Sequence, residues 1–319
     1  MNIIFFGTTE VSVPFLRQLV DTPEHKVVAV ITQPDRPARR GHHIQMPAVK
    51  ILANERKIPV FQPETFDENL IKELQNLKPD VSVVVSYGKL IPPQIFQIPF
   101  YGCFNVHFAL LPKYRGAAPV QWALIKGEKE SGVTTFWIEK GLDTGPILVQ
   151  KSLAILPEDD YISLLDKMIP LGVSAMNETL ERIKSGNCTG IPQSGEPSLA
   201  PTLKKDDGKI NWLMPAQEIV NLIRGTKPWP GAYTIIGVGK AKATRLKILT
   251  ATTSSEIPEP SAKGAVAGQI AAIIKNRGFA VKCLVDFLVV EKVQPENKSP
   301  MSAWDFLQGS QIKPGDKFE

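Results

Sequence analysis

The chain has 319 residues, of which 43% are hydrophobic and 22% are charged, a composition typical of a globular protein long enough for two domains. This composition excludes a disordered protein and a small disulfide-stabilised one. The formal net charge is +5, and it is unevenly placed: residues 204–319 hold 17 basic and 11 acidic side chains, whereas residues 1–203 hold 20 and 21.

The cysteines and the N-terminus bear on the cellular location. Cys103, Cys188 and Cys283 lie far apart and have no CxxC spacing for zinc or redox chemistry. They are therefore interpreted as small core residues in a reducing compartment. The first apolar run is too short for a signal peptide or a membrane span. We expect a cytoplasmic protein with no membrane partner.

Apolar strands alternate with helices along the first half of the chain. Strands are predicted at 2–6, 27–32, 81–85, 103–107 and 133–139, and helices at 11–20, 48–56, 70–77 and 119–126. Strands that are apolar on both faces and joined by helices indicate a parallel sheet covered on both sides. The pattern predicts an α/β domain over residues 1–186, with a doubly wound, mostly parallel, Rossmann-like sheet.

The second half has a different pattern. Residues 161–184 have apolar side chains at helical intervals, interrupted by Pro170 and Gly172, which predicts one kinked helix or two short ones. Residues 187–206 are rich in glycine and proline and are predicted to be a linker. A helix at 215–224 and short β-like runs follow, at 232–236, 246–251, 270–274, 280–282 and 284–291. They predict a small β-barrel or β-sandwich over residues 207–319, and an OB-like β-barrel is the fold we expect.

Three short motifs point to functions that the rest of the sequence does not support. Phe6-Gly7-Thr8 follows a strand, but a dinucleotide fingerprint needs three glycines and an acidic residue after the second strand. Asp143-Thr144-Gly145 is the aspartic protease triplet, which occurs in pairs on an all-β scaffold. His42-His43 has no nearby third metal ligand. We therefore expect no nicotinamide, flavin or metal cofactor.

The strongest chemical signal is Asn105-Val106-His107 in the predicted strand 103–107. Residues two apart point to one side of a strand, so Asn105 and His107 project together where open α/β sheets bind ligands. The Asn105 amide can stabilise an oxyanion while the His107 imidazole moves a proton, and Asp143 is a candidate to orient the imidazole. The alternative is structural: Asn105 caps a turn and His107 is a half-buried histidine with satisfied hydrogen bonds.

A longer run of residues around this motif carries a family resemblance. The run N-V-H-x-x-L-L-P-K-Y-R-G-A-A-P-V-Q, followed by G-L-D-T-G, resembles the formyltransferases that use N10-formyltetrahydrofolate. Further stretches extend the resemblance through the chain to the members that act on methionyl initiator tRNA: I-I-F-F-G-T, T-Q-P-D-R-P-A-R-R-G, P-V-F-Q-P, V-V-V-S-Y-G and K-P-W-P-G-A.

The resemblance implies roles for two groups of residues. Asn105, His107 and Asp143 match the catalytic triad of the family. The folate donor is implied to contact the segment Ala109, Leu110, Leu111 and Pro112. Ala109 stands where the family usually has serine, so a hydrogen bond from that hydroxyl is absent here.

The resemblance also implies that the loop from Asp35 to His43 meets the acceptor stem of the initiator tRNA. Three guanidiniums within this loop can hold a phosphate backbone, and they belong to Arg36, Arg39 and Arg40. The basic C-terminal domain offers further candidates for phosphate contacts, namely Lys204, Lys205, Lys209, Arg245 and Lys247. We expect a monomer.

Three alternatives stay open at this point. A formyltransferase acting on a nucleotide sugar or glycinamide ribonucleotide would share the triad, but it has no need of the arginine loop. An RNA-binding module with a passive α/β scaffold has no need of the Asn-His and Asp-Thr-Gly motifs. A hydrolase that releases the formyl group to water has no need of a tRNA-binding domain.

Overall fold

The structure is a computed structural model and describes residues 1–37, 44–237, 244–257 and 264–319. It divides into two compact units. Residues 1–119, 130–154 and 166–201 form the first, and residues 120–129, 155–165 and 202–319 form the second. The first unit thus includes most of the segment 187–206. The boundaries at 186 and 206 remain a prediction.

The strands of the first unit confirm the predicted α/β architecture. Within the described residues they are β1 Asn2–Gly7, β2 Lys26–Ile31, β3 Arg36–Pro37, β4 Ile44–Gln45, β5 Val60–Phe61, β6 Val81–Val85, β7 Cys103–His107, β8 Glu130–Trp137 and β9 Ile147–Ala154. One sheet has the order β5-β2-β1-β6-β7-β8-β9, and β3 pairs with β4. The first five strands of that sheet are parallel, while β8 and β9 are antiparallel.

The helices follow the predicted alternation with strands. The described residues contain α1 Val13–Asp21, α2 Ala48–Glu55, α3 Glu68–Asn76, α4 Pro93–Phe96, α5 Pro119–Ile125, α6 Tyr161–Lys184, α7 Ala216–Gly225 and α8 Ala303–Gln308. Pro170 lies inside the single helix α6. The central strands are buried on both faces: in β1, Ile3 and Phe5 on one face have no exposed surface, and Ile4 and Phe6 on the other are 1% exposed, as expected for a covered parallel sheet. No described helix is long and apolar enough to cross a membrane.

The second unit contains an antiparallel sheet around its own core. Its described strands are β10 Tyr233–Ile236, β11 Thr244–Ser254, β12 Ile270–Ile274, β13 Gly278–Lys282, β14 Phe287–Pro295 and β15 Met301–Ser302. Their order is β10-β11-β14-β13-β12, with β15 paired to β14. Trp212, Ile219, Phe279 and Leu288 belong to the buried core. This sheet confirms the predicted small β domain and is consistent with a barrel.

Some elements carry no clear sequence signal. The strand β9 is buried at Leu148 and Val149 but mostly exposed or half-buried from Gln150 onward, so it has neither a continuous apolar run nor a full alternation. The helices α4 and α8 have four and six residues, which is too short to establish helical periodicity.

Gly132 provides a test of how closely β8 and β9 are packed. A Cβ atom at Gly132 would lie 2.1 Å from the Lys151 carbonyl oxygen and 2.5 Å from Leu110 Cδ2. Because a backbone carbonyl cannot rotate away, we expect Gly132→Ala to lower the free energy of unfolding by about 1–3 kcal/mol. Thermal and urea denaturation measure the loss.

Gly309→Ala is the matched control, since a Cβ atom there would meet no atom within 4 Å. We expect a change within about 0.5 kcal/mol. Equal stabilities for the two variants would contradict this account of the packing.

Candidate active site

The strand β7 carries the first two predicted site residues. It lies between β6 and β8, with Asn105 paired to Val84 and His107 paired to Thr134. His107 is 5% exposed, and Asn105 is half-buried. Because they are two residues apart on one strand, both side chains point to the same side of the sheet. The side-chain amide of Asn105 forms no hydrogen bond with any described residue, so it is available to a ligand.

The two ring nitrogens of His107 have different surroundings. Nε2 lies 2.9 Å from the Tyr114 carbonyl oxygen, a hydrogen-bond distance at which the ring N–H donates to the carbonyl. Nδ1 lies 3.7 Å from Asp143 Oδ2, too far for a direct hydrogen bond. The imidazole is thus anchored through Nε2, and Nδ1 faces the Asp143 carboxylate without a direct hydrogen bond to it.

Asp143 reaches this position from the loop after β8. Its φ angle is +51°, in the left-handed region, which aspartate tolerates better than most residues. Its Oδ2 accepts a hydrogen bond from the Gly116 N–H at 2.7 Å. Gly116 has a φ angle of +124°, and a Cβ atom there would lie 2.7 Å from the Ala200 carbonyl oxygen. The loop after β7 therefore needs glycine at the point where it holds the carboxylate.

The segment predicted to contact folate is held from the side of β8 and β9. The Thr134 hydroxyl donates to the Ala109 carbonyl at 2.6 Å and accepts from the Leu111 N–H at 3.2 Å. Gln150 Nε2 donates to the Leu111 carbonyl at 3.1 Å and to the Thr134 hydroxyl at 2.9 Å. Ala109 is fully buried and Leu111 is 4% exposed, whereas Leu110 and Pro112 are half-buried. The segment is therefore fixed through its backbone.

The predicted tRNA loop is described only at its first three residues, 35–37. Asp35 Oδ2 accepts from Lys50 Nζ, and Asp35 Oδ1 accepts from Gln62 Nε2, each at 2.7 Å. The hydrogen bond from Lys50 and then that from Gln62 lower the pKa of the Asp35 carboxyl. Arg36 is exposed, and its Nη2 donates to Gln33 Oε1 at 3.1 Å.

Part of this loop, including Arg39, Arg40, His42 and His43, lies outside the described residues.

The basic candidates of the second unit lie on different elements. Lys204, Lys205 and Lys209 surround a short 3₁₀ helix at Lys205–Gly208. Arg245 and Lys247 lie on β11 and pair with Ile235 and Tyr233. The Arg245 guanidinium carbon lies 3.8 Å from the centre of the Tyr233 ring. The structure thus places two of the five cations on one strand.

Two further ionisable side chains of the first unit, Tyr87 and Cys103, are buried. Burial raises the pKa of Tyr87 to about 12 and raises the pKa of the Cys103 thiol. Both groups therefore stay protonated at neutral pH, and Cys103 is not a thiolate nucleophile. Within the described ranges, no group of three or more His, Cys, Asp or Glu side chains could hold a metal ion.

Several groups that shape the site escaped the sequence analysis. The Tyr114 carbonyl and the Gly116 N–H are backbone groups, which residue types do not reveal. Thr134 lies mid-strand, and Gln193 lies in the predicted linker, yet its Nε2 donates to the carbonyls of Asp143 and Gly145. Of these, Tyr114 and Gly116 lie in the run of residues 105–121 that carries the family resemblance.

Comparisons with known proteins agree on the family and on both domains. Residues 1–180 match the formyl transferase family, and residues 202–311 match the formyl transferase C-terminal domain. The chain is 46% identical over 321 aligned positions to the methionyl-tRNA formyltransferase of Endomicrobium trichonymphae, covering 100% of both chains.

Solved structures share the fold at lower identity. The N-formyltransferase of Helicobacter canadensis, solved with folinic acid and dTDP-3-aminofucose, has a TM-score of 0.65 at 19% identity, over 91% of this chain and 99% of that one. HypX from Aquifex aeolicus in complex with tetrahydrofolic acid has a TM-score of 0.59 at 15% identity, over 96% of this chain. The chain spans 47% of the length of HypX.

Thr134 allows a test of how the segment 109–112 is held. We expect Thr134→Val to lower the free energy of unfolding by about 1–3 kcal/mol, because three hydrogen bonds, two of them buried, lose their shared hydroxyl. The Leu111 amide loses its acceptor, so its hydrogen exchange should become faster. Mass spectrometry on peptides covering 109–112 measures this rate.

Thr135→Val is the matched control on the same strand. Its hydroxyl contacts Val149 and Thr179 and forms no hydrogen bond with the segment 109–112, all of which is described. Exchange should therefore become faster near Val149 and stay unchanged at Leu111. The same exchange pattern in both variants would show that Thr134 has no specific role.

Proposed function

This chain belongs to the formyl transferase family and matches a methionyl-tRNA formyltransferase over its whole length, and we propose that Asn105, His107 and Asp143 carry its reaction. That reaction moves the formyl group of N10-formyltetrahydrofolate to the α-amino group of methionyl initiator tRNA. The observation that carries the assignment is the orientation of His107: Nε2 is anchored on the Tyr114 carbonyl, and Nδ1 faces Asp143 at 3.7 Å.

The first chemical step needs donors for a developing oxyanion. The neutral α-amine attacks the formyl carbon, a C–N bond forms, and the carbonyl electrons move to oxygen. The Asn105 amide, which has no hydrogen-bond partner among the described residues, can donate to that oxygen. Protonated His107 can donate to it through Nδ1, since Nε2–H is already used. Two preorganised donors on one side of the sheet suit this charge.

The second step releases tetrahydrofolate. The tetrahedral adduct carries a proton on the attacking nitrogen and must place one on N10 before the bond from carbon to N10 breaks. Asp143 stabilises the imidazolium of His107 and assists this proton transfer. The nucleophile belongs to the substrate and no electrons leave the two substrates, so the step needs no protein nucleophile and no oxidant.

The donor and the acceptor meet different parts of the chain. The folate lies against Ala109, Leu110, Leu111 and Pro112, whose backbone is fixed by Thr134 and Gln150. The initiator tRNA contacts Arg36, Arg39 and Arg40, supported by the Asp35–Lys50 ion pair at the base of the loop. The excess positive charge of residues 204–319 supports further phosphate contacts. We expect the chain to act as a monomer in the cytoplasm, where its free cysteines stay reduced.

The deciding experiment measures formyl transfer with four acceptors: methionyl initiator tRNA, methionyl elongator tRNA, free methionine and an amino-sugar nucleotide. We expect transfer from N10-formyltetrahydrofolate to the initiator alone. Transfer to the sugar nucleotide alone would overturn the tRNA assignment. Release of formate to water without any formylated amine would indicate a hydrolase.

Asn105→Ala tests the oxyanion assignment. We expect kcat/KM to fall about 10²- to 10³-fold, because the transition state loses one donor. The melting temperature should not change, since the amide has no hydrogen bond to lose within the described structure. Asn54→Ala, an exposed position at the end of α2, is the control for both measurements. Full activity in Asn105→Ala would refute the assignment.

Arg36→Gln tests the electrostatic contact with tRNA. We expect weaker binding and a plot of log Kd against log salt that is shallower by about 0.9, the change for one lost phosphate contact. Arg17→Gln, an exposed arginine on α1, removes the same charge and should leave the slope unchanged. Equal slopes for wild type and Arg36→Gln would mean that Arg36 makes no phosphate contact.

A further inference from the structure

Residues 191–200, here called the strap, are hydrogen-bonded at one end to the start of β9 and near the other end to the loop after β7. Ile191 exchanges two backbone hydrogen bonds with Ile147, at the start of β9, with N···O distances of 2.7 and 2.8 Å. Near the other end, the Arg115 N–H donates to the Ser198 carbonyl at 2.8 Å, and the Ala200 N–H donates to the Arg115 carbonyl at 2.7 Å. The strap therefore connects the loop after β7 to the start of β9.

Gln193 lies between these attachments, and its side chain contacts the loop after β7 and the loop after β8. Its Nε2 donates to the carbonyl oxygens of Asp143 and Gly145, each at 2.8 Å. Its Oε1 accepts from Arg115 Nε at 3.2 Å and from Arg115 Nη2 at 2.6 Å. One half-buried amide thus joins the backbone of 143–145 to the side chain of Arg115.

These two loops set the positions of His107 and Asp143. The loop around Arg115 supplies the Tyr114 carbonyl that anchors His107 and the Gly116 N–H that binds the Asp143 carboxylate. Asp143 itself has a left-handed backbone, with a φ angle of +51°, so its turn depends on contacts from outside the turn. Hydrogen bonds to the carbonyls of residues 143 and 145 restrain the peptide groups that follow these two residues.

We propose that Gln193 is a positioning residue for formyl transfer, whose side-chain amide holds the Asp143 carboxylate in place beside His107. The inference rests on the proposed function of that pair. Gln193 acts through Asp143, so its loss should slow the chemical step while binding of both substrates is kept.

Two substitutions distinguish the role of the amide nitrogen from the role of the amide oxygen. Gln193→Met keeps the length of the side chain and removes both the donor and the acceptor. Gln193→Glu keeps an oxygen for Arg115 but places a carboxylate against the two carbonyls. We expect kcat to fall about 10- to 100-fold in both variants, the scale of a misplacement of about 1 Å. The KM values for folate and for tRNA should change less than about twofold.

Gln18→Leu is the control. Gln18 is a half-buried glutamine on α1 whose amide donates to Thr22. We expect it to retain wild-type kcat. Wild-type kcat in Gln193→Glu would overturn the proposal, because it would show that only the contact with Arg115 matters.

A double-mutant cycle with Asp143→Asn tests whether Gln193 acts through Asp143. If it does, adding Gln193→Met to Asp143→Asn should lower kcat by less than about threefold further. If the loss of kcat in the double mutant equals the product of the losses in the two single mutants, the proposal is overturned, since Gln193 would then act by another route.

Hydrogen exchange distinguishes a failure of this inference from a failure of the proposed function. Gln193→Met should raise exchange at the Gly116 amide and in peptides covering 143–145, with an unchanged melting temperature. Should the wild-type chain transfer no formyl group, the proposed function fails while faster exchange still supports the positioning role. Unchanged exchange, or an active wild type with an equally active Gln193→Met, would refute the positioning role itself.

Discussion

The hydrogen bond from the Gly116 N–H to the Asp143 carboxylate joins the two loops on which the active site depends. The first loop follows β7 and the second follows β8, so 27 positions of sequence separate the two partners. A backbone donor aimed at a carboxylate gives a charge-assisted bond, which is stronger than a neutral one. It fixes the distance between the carboxylate and His107, because the same loop also anchors the imidazole through Tyr114.

Around this bond, the site combines groups that are fully hydrogen-bonded with one that is free. Thr134 hydrogen-bonds the backbone of the segment 109–112, and the Gly116 N–H hydrogen-bonds the Asp143 carboxylate. The Asn105 amide, in contrast, has no partner among the described residues. Donors that are fixed in direction but unused in the resting state lower a barrier without reorganising during the reaction. The hydrogen bonds of the site thus fix its surroundings and leave the side-chain amide of Asn105, the proposed oxyanion donor, unpaired within the described structure.

Much of the fold could be predicted from the sequence, and the reasons are physical. The strand β7 was predicted at its observed bounds because a short apolar run ends at a polar Asn-x-His motif. The alternation of buried strands with helices predicted the parallel sheet. The strand β9 was not predicted, because an edge strand that is only partly buried has no regular pattern. The strap was predicted as a linker, since glycine and proline content does not reveal a backbone paired by a few hydrogen bonds.

The sequence by itself determined which side chains we propose as the reacting groups. A strand of period two puts Asn105 and His107 on one side, and the resemblance named Asp143 as their partner. Only the tertiary structure decided which nitrogen of His107 faces Asp143 and that a distant glutamine, Gln193, donates to the backbone carbonyls of Asp143 and Gly145. The reason is that these relations depend on backbone carbonyls and N–H groups brought together by the fold, and every residue carries such groups whatever its side chain.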